Sequence, residues 1–123
     1  MNYFLISAAF LSFIVGAVHS FLGEKLIFKK LRNKSIVPEL PAAPLKPRNI
    51  QIIWATWHLA SIFGVSMGIV LLHLSTSESI SLWVIQPIAW AMFLSGLLVL
   101  IATKGRHPGW IGLCGVAFFC WLS

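Results

Sequence analysis

Four histidines and three acids, with two cysteines, are the side chains through which this 123-residue sequence can move a proton or ligate a metal. His19, His58, His107 and Glu24 group toward one end of the apolar segments, and His73 and Glu78 toward the other. His19 precedes Glu24 by five residues, about 7 Å along a helix axis. His58 lies about 15 Å past Arg48 if one helix joins them. A pair of buried imidazoles with a nearby carboxylate can bind zinc or another borderline metal. Two imidazoles at equal depth can hold a haem iron. The same groups can relay protons, since histidine titrates near neutral pH. Each histidine can equally make one interhelical hydrogen bond and nothing more. The cofactor and the metal therefore stay unassigned.

The remaining chemistry is sparse. Cys114 and Cys120 are six residues apart, neither a CxxC pair nor one helical face, and read as small hydrophobes. There is no nucleophile motif, no phosphate-binding glycine loop and no pair of carboxylates. Ser20 follows His19, but adjacent helix residues do not face each other. No catalytic residue is assigned, and nothing in the pattern argues for an enzyme.

The elements that must position these groups follow from composition. Hydrophobic residues make up 59% of the chain and charged ones 10%, against about 25% charged in soluble domains. A chain this small cannot bury so much apolar surface in itself, so its solvent is lipid. Charges bound four apolar segments, at 3–22, 50–74, 80–102 and 108–122. The expectation is an all-α, polytopic four-transmembrane-helix bundle forming one domain over residues 1–123. With no basic n-region and no A-x-A-like site, the first segment reads as a retained span. The fourth spans only about 22 Å, short of a hydrocarbon core of about 30 Å.

All nine Lys and Arg fall in the first and third connections, while the second, at 75–79, carries only Glu78. The positive-inside rule places both basic connections in the cytoplasm and both termini outside. The net charge of +6 then points to anionic lipid headgroups rather than nucleic acid. Arg48, Lys104 and Arg106, beside the positive helix starts of the second and fourth spans, are the expected headgroup contacts. Between the first two spans, residues 24–34 read as a short amphipathic helix in the headgroup layer. Pro38, Pro41, Pro44 and Pro47, three apart, follow as an extended strap or a docking ligand.

Small residues recur every four positions: Ala8, Ser12, Gly16 and Ser20 in the first span, and Ala60, Gly64 and Gly68 in the second. In lipid such stripes mark close helix contacts. They either face each other or face a second copy or partner membrane protein. The leading expectation for function is association, as an accessory subunit or homo-oligomer. The alternatives are a transporter or proton- or metal-handling protein using the inner cluster, and a haem-binding electron carrier.

Three stretches, Val18-His19-Ser20-Phe21-Leu22-Gly23-Glu24, Trp57-His58-Leu59 and Gly105-Arg106-His107-Pro108-Gly109-Trp110, together resemble a group of small, uncharacterised four-span bacterial inner-membrane proteins. The resemblance implies a bacterial cytoplasmic-membrane location and assigns no functional residue. On the topology argued above, a reporter fused after Ser77 is expected to behave as periplasmic and one near Pro44 as cytoplasmic. The opposite pattern would turn the inner cluster outward.

Overall fold

A helix whose outward faces are all apolar forms readily where the residues are good helix formers and the ends are capped. The computed structural model, which describes residues 1–77 and 81–123, is all-helical. Its helices are α1 (Tyr3–Leu26), α2 (Pro47–Ser75), α3 (Leu82–Ala102) and α4 (Gly109–Trp121), with a 3-10 turn at Phe28–Leu31. Three of these, α1 to α3, are long and apolar enough to cross a membrane, and α4 is a shorter apolar helix. Among the described residues there is no strand, only an isolated bridge between Ala42 and Leu45. Glu78 and the expected start of the third span at Ile80 lie outside the described residues.

The helix ends differ from the apolar limits in the sequence. α1 continues a turn past the apolar run and carries Glu24 and Lys25 on the same helix as His19. α2 begins at Pro47, where a proline loses nothing because the first-turn N–H groups have no helical partner. The amphipathic helix expected at 24–34 is absent as a separate element. The chain instead closes a 3-10 turn whose Phe28 is buried to 1% exposure, because that ring packs into the protein rather than onto a membrane surface.

The proline run is not a straight strap. The Leu45 N–H donates to the Ala42 carbonyl at 2.7 Å, closing a turn around the cis Ala43–Pro44 bond. The N–H groups of Glu39 and Leu40 both donate to the Leu31 carbonyl at 3.0 Å, which fixes the segment to the 3-10 turn.

Contacts divide the chain into two compact units, Met1–Val15 with Gly64–Ser123, and Gly16–Phe63. In the first, Leu5, Ala8 and Ala9 of α1 join Leu71 of α2, Ile85 and Ala89 of α3, and Val116 and Ala117 of α4, all without exposed surface. Small side chains at the crossings bring backbones close enough for polar contact: the Ser12 hydroxyl donates to the Gly64 carbonyl at 2.7 Å. Asn2 caps α1 by accepting from the N–H groups of Phe4 and Leu5. Its own N–H donates to the Ser75 carbonyl at 2.8 Å and its amide to the Ser123 carbonyl at 3.4 Å. The start of α1, the end of α2 and the C-terminal residue therefore meet.

The stop after α3 is one residue earlier than Gly105 suggests. Lys104 already has positive φ, its N–H bonds to the Ile101 carbonyl, and the Gly105 N–H reaches back to Leu100. That is the paired bonding of a Schellman end, with lysine in the left-handed position.

The second stripe needs correction. Ala60 is exposed, while Ser61 and Gly68 are buried. A four-residue repeat advances about 400° and drifts off a face that repeats every 3.6 residues. The inward face of α2 therefore follows Ser61, Gly64 and Gly68. A Cβ at Gly64 meets no atom within 4 Å, but at Gly68 it would overlap the Phe13 ring and lie 3.1 Å from the Ala9 carbonyl oxygen. Gly68→Leu is expected to lower stability in detergent by about 1–3 kcal/mol through overpacking, and Gly64→Leu by clearly less. Equal losses in thermal melting would contradict this assignment.

Candidate functional site

In the second unit, Ser20 and Glu24 are one helical turn apart on α1, and Trp54, His58 and Ser61 follow one another at turn spacing on α2. Residues four apart share a face, so two matched faces bring these five side chains together. The Glu24 Oε1 accepts from the Trp54 indole N–H at 2.7 Å and pairs with His58 Nε2 at 2.8 Å. The Ser20 hydroxyl lies 2.8 Å from His58 Nδ1 and 2.9 Å from the Ser61 hydroxyl.

Arg32 completes the group. Its guanidinium grips both oxygens of Glu24, Nη2 to Oε1 at 2.8 Å and Nη1 to Oε2 at 2.5 Å, and its Nε donates to the Ile36 carbonyl. This fork geometry is the strong form of a carboxylate ion pair. It depends on the 3-10 turn, which folds the chain back so that Arg32 returns to a residue eight positions earlier. Phe28 anchors that turn, with its ring centroid 5.8 Å from Trp57 and 6.1 Å from His58.

His19 occupies a different part of the same unit. Its ring stacks on Trp57 at 4.4 Å and 7° between planes, and its carbonyl accepts the Trp57 indole N–H at 3.0 Å. Gly23 makes room for that indole, since a Cβ there would overlap it. The side chains of Glu24, Arg32 and His58 are each about a quarter exposed.

The hydrogen positions follow from the partners. An ionised Glu24 can only accept, so His58 Nε2 must donate to it. Two arrangements remain at Nδ1. In neutral His58, Nδ1 accepts from Ser20, and Ser61 donates to Ser20. In protonated His58, Nδ1 donates to Ser20, whose hydroxyl then donates to Ser61. One proton at Nδ1 thus reverses the direction of the whole chain.

Of the residues expected from sequence, Glu24 and His58 are in direct contact, with Ser20 beside them rather than serving only in packing. His107 belongs to the first unit. Its Nδ1 accepts from the Gly109 N–H at 3.0 Å and its own N–H donates to Thr103 Oγ1 at 3.3 Å, so it shapes the start of α4. Arg48 is exposed in the second unit, and Lys104 and Arg106 are exposed in the first. Arg32, Trp54 and Ser61 complete the site. Trp54 and Ser61 share the helical face of His58, a signal present in the sequence, whereas Arg32 is brought in by a turn with no such signature.

Comparison with protein-family models, with curated proteins and with solved structures finds no match to this chain.

The site also carries stability. An interhelical hydrogen bond in a membrane protein contributes about 0.6 kcal/mol on average. His58→Ala removes two such bonds and is expected to cost about 1 kcal/mol. Glu24→Ala strands Arg32, Trp54 and His58 together and is expected to cost about 2 kcal/mol. Thermal unfolding in detergent with the reverse order would mean that Glu24 does not organise the group.

Proposed function

We propose that the chain is a small multi-pass protein of a bacterial cytoplasmic membrane that binds and passes protons through Glu24, His58, Ser20 and Ser61. In this reading α4 joins the three longer helices as a fourth span. Both termini lie on the periplasmic side and the basic connections on the cytoplasmic side. At 13 residues α4 covers about 20 Å, so its ends need a thinned bilayer or protein shielding. The Asn2 contacts support this topology, because four alternating crossings bring the start of α1 and the ends of α2 and α4 to one side. Arg48, Lys104 and Arg106 remain the headgroup contacts that the charge asymmetry suggests.

The observation that carries the proton reading is the engagement of both His58 nitrogens in one line, carboxylate on one side and paired hydroxyls on the other. Glu24 accepts from Nε2–H and leaves Nδ1 facing the Ser20 hydroxyl, the place where a proton can enter or leave the ring. A proton moves by hopping along each hydrogen bond: Ser20 Oγ takes one from Nδ1 as it gives its own to Ser61 Oγ, and rotation of the hydroxyls then resets the line. Polar groups within apolar helices cost free energy and are usually tied to partners or function.

The metal and haem readings fit less well, because neither nitrogen of His58 is left for an ion. Among the described residues no three His, Cys, Asp or Glu side chains gather as a metal set. The association reading rested on the small-residue stripes, and Ser12, Ser20 and Gly68 meet partners within the chain.

Reconstitution into liposomes with a trapped pH indicator tests the proposal. Under an imposed gradient the wild-type protein is expected to raise proton flux above that of empty vesicles. His58→Ala and Ser20→Ala should return it to that baseline, while His73→Ala should not. Wild-type flux equal to that of empty vesicles, or full flux in His58→Ala, would defeat the reading.

A further inference from the structure

The C-terminal turn of α1 ends in an open groove of about 500 Å³ lined by Phe21, Glu24, Lys25, Lys29 and Arg32. Its charges are three cations against one carboxylate, and that carboxylate is already held by Arg32. Among the described residues Lys25 and Lys29 join no ion pair, and both are exposed. Lys25 Nζ lies 5.7 Å from the Phe21 ring centroid, so the exposed cation stands beside an apolar surface. Val18, Phe21 and Lys25 fall on one face of α1 at spacings of three and four. Val18 and Phe21 are 48% and 62% exposed. An exposed apolar track thus runs along the helix to a groove whose lining includes two lysines without an ion pair.

We infer that this groove binds one anionic phospholipid, with the phosphate on Lys25 and Lys29 and an acyl chain along Phe21 and Val18. The charge surplus calls for an anion, and the apolar approach distinguishes a lipid from a free phosphate, which has no use for it. Arg32 is committed to Glu24 and Ile36, so it walls the groove while the lysines supply the donors. The site differs from the contacts suggested at Arg48, Lys104 and Arg106. It rests on the membrane placement of the chain but not on proton transfer.

The purified chain in mild detergent is titrated with phosphatidylglycerol or with phosphatidylcholine of matched acyl chains, and bound lipid is counted by native mass spectrometry. One phosphatidylglycerol is expected to bind in preference. Lys25→Gln with Lys29→Gln should weaken it about thirtyfold, about fivefold for each lysine. Lys34→Gln with Lys46→Gln removes the same charge from residues that do not line the groove and should leave binding within about twofold of wild type, because attraction to exposed charges is screened with distance. Circular dichroism confirms that each variant keeps its helices. Equal affinity for the two lipids, unchanged binding in the Lys25 and Lys29 variant, or an equal loss in the Lys34 and Lys46 variant would overturn the assignment. Displacement of the lipid by an equal concentration of inorganic phosphate would also overturn it, by showing a free-anion site. Proton flux does not enter this readout, and resistance to carbonate extraction tests the membrane placement separately.

Discussion

A single carboxylate, Glu24, accepts from an arginine, an indole and an imidazole at once. In an apolar setting a charged oxygen without partners is very costly, and so are its donors once the carboxylate is gone. The second unit is arranged around meeting that demand. α1 runs past its apolar stretch to present Glu24 one turn beyond Ser20. The 3-10 turn with buried Phe28 returns Arg32 to the carboxylate. α2 offers Trp54 and His58 on the matching face. Each element makes sense as a way of bringing one donor to the same pair of oxygens.

Once the carboxylate is fixed, the imidazole is fixed with it. His58 has one nitrogen held as a donor and the other facing a hydroxyl. The carboxylate and the hydroxyl together set the ring's orientation, with Nε2 toward Glu24 and Nδ1 toward Ser20. Here the hydroxyl passes the polarity on to a second serine. The Ser20 oxygen thereby serves two partners, His58 and Ser61. His19, stacked on Trp57, stands outside that line.

Much of the helical plan was legible because it depends on local properties. Charges bounding apolar runs located all four helices to within a few residues, and the spacing of Trp54, His58 and Ser61 puts them on one helical face. The parts that were not legible depend on three-dimensional return of the chain. Arg32 reads as a topology-setting charge because nothing in residues 24–34 announces a 3-10 turn. His107 reads as a site residue because its use as a local acceptor for Gly109 rests on one backbone turn. The evenly spaced prolines suggested an extended run, yet the hydrogen bond from Leu45 to Ala42 closes a turn instead. The four-residue stripe on α2 misled for a geometric reason: Ala60 is carried off the inner face by the mismatch between four and 3.6.

The central claim is that Glu24 holds His58 with Nε2 as donor and Nδ1 directed at Ser20. Nitrogen-15 NMR of ring-labelled histidine in the purified membrane protein, with His58 assigned by its absence in His58→Ala, measures this directly. The account predicts that neutral His58 is the Nε2–H tautomer, and that Glu24→Gln alters the Nε2 signal in place. A neutral ring protonated at Nδ1, or a ring indifferent to Glu24→Gln, would contradict it.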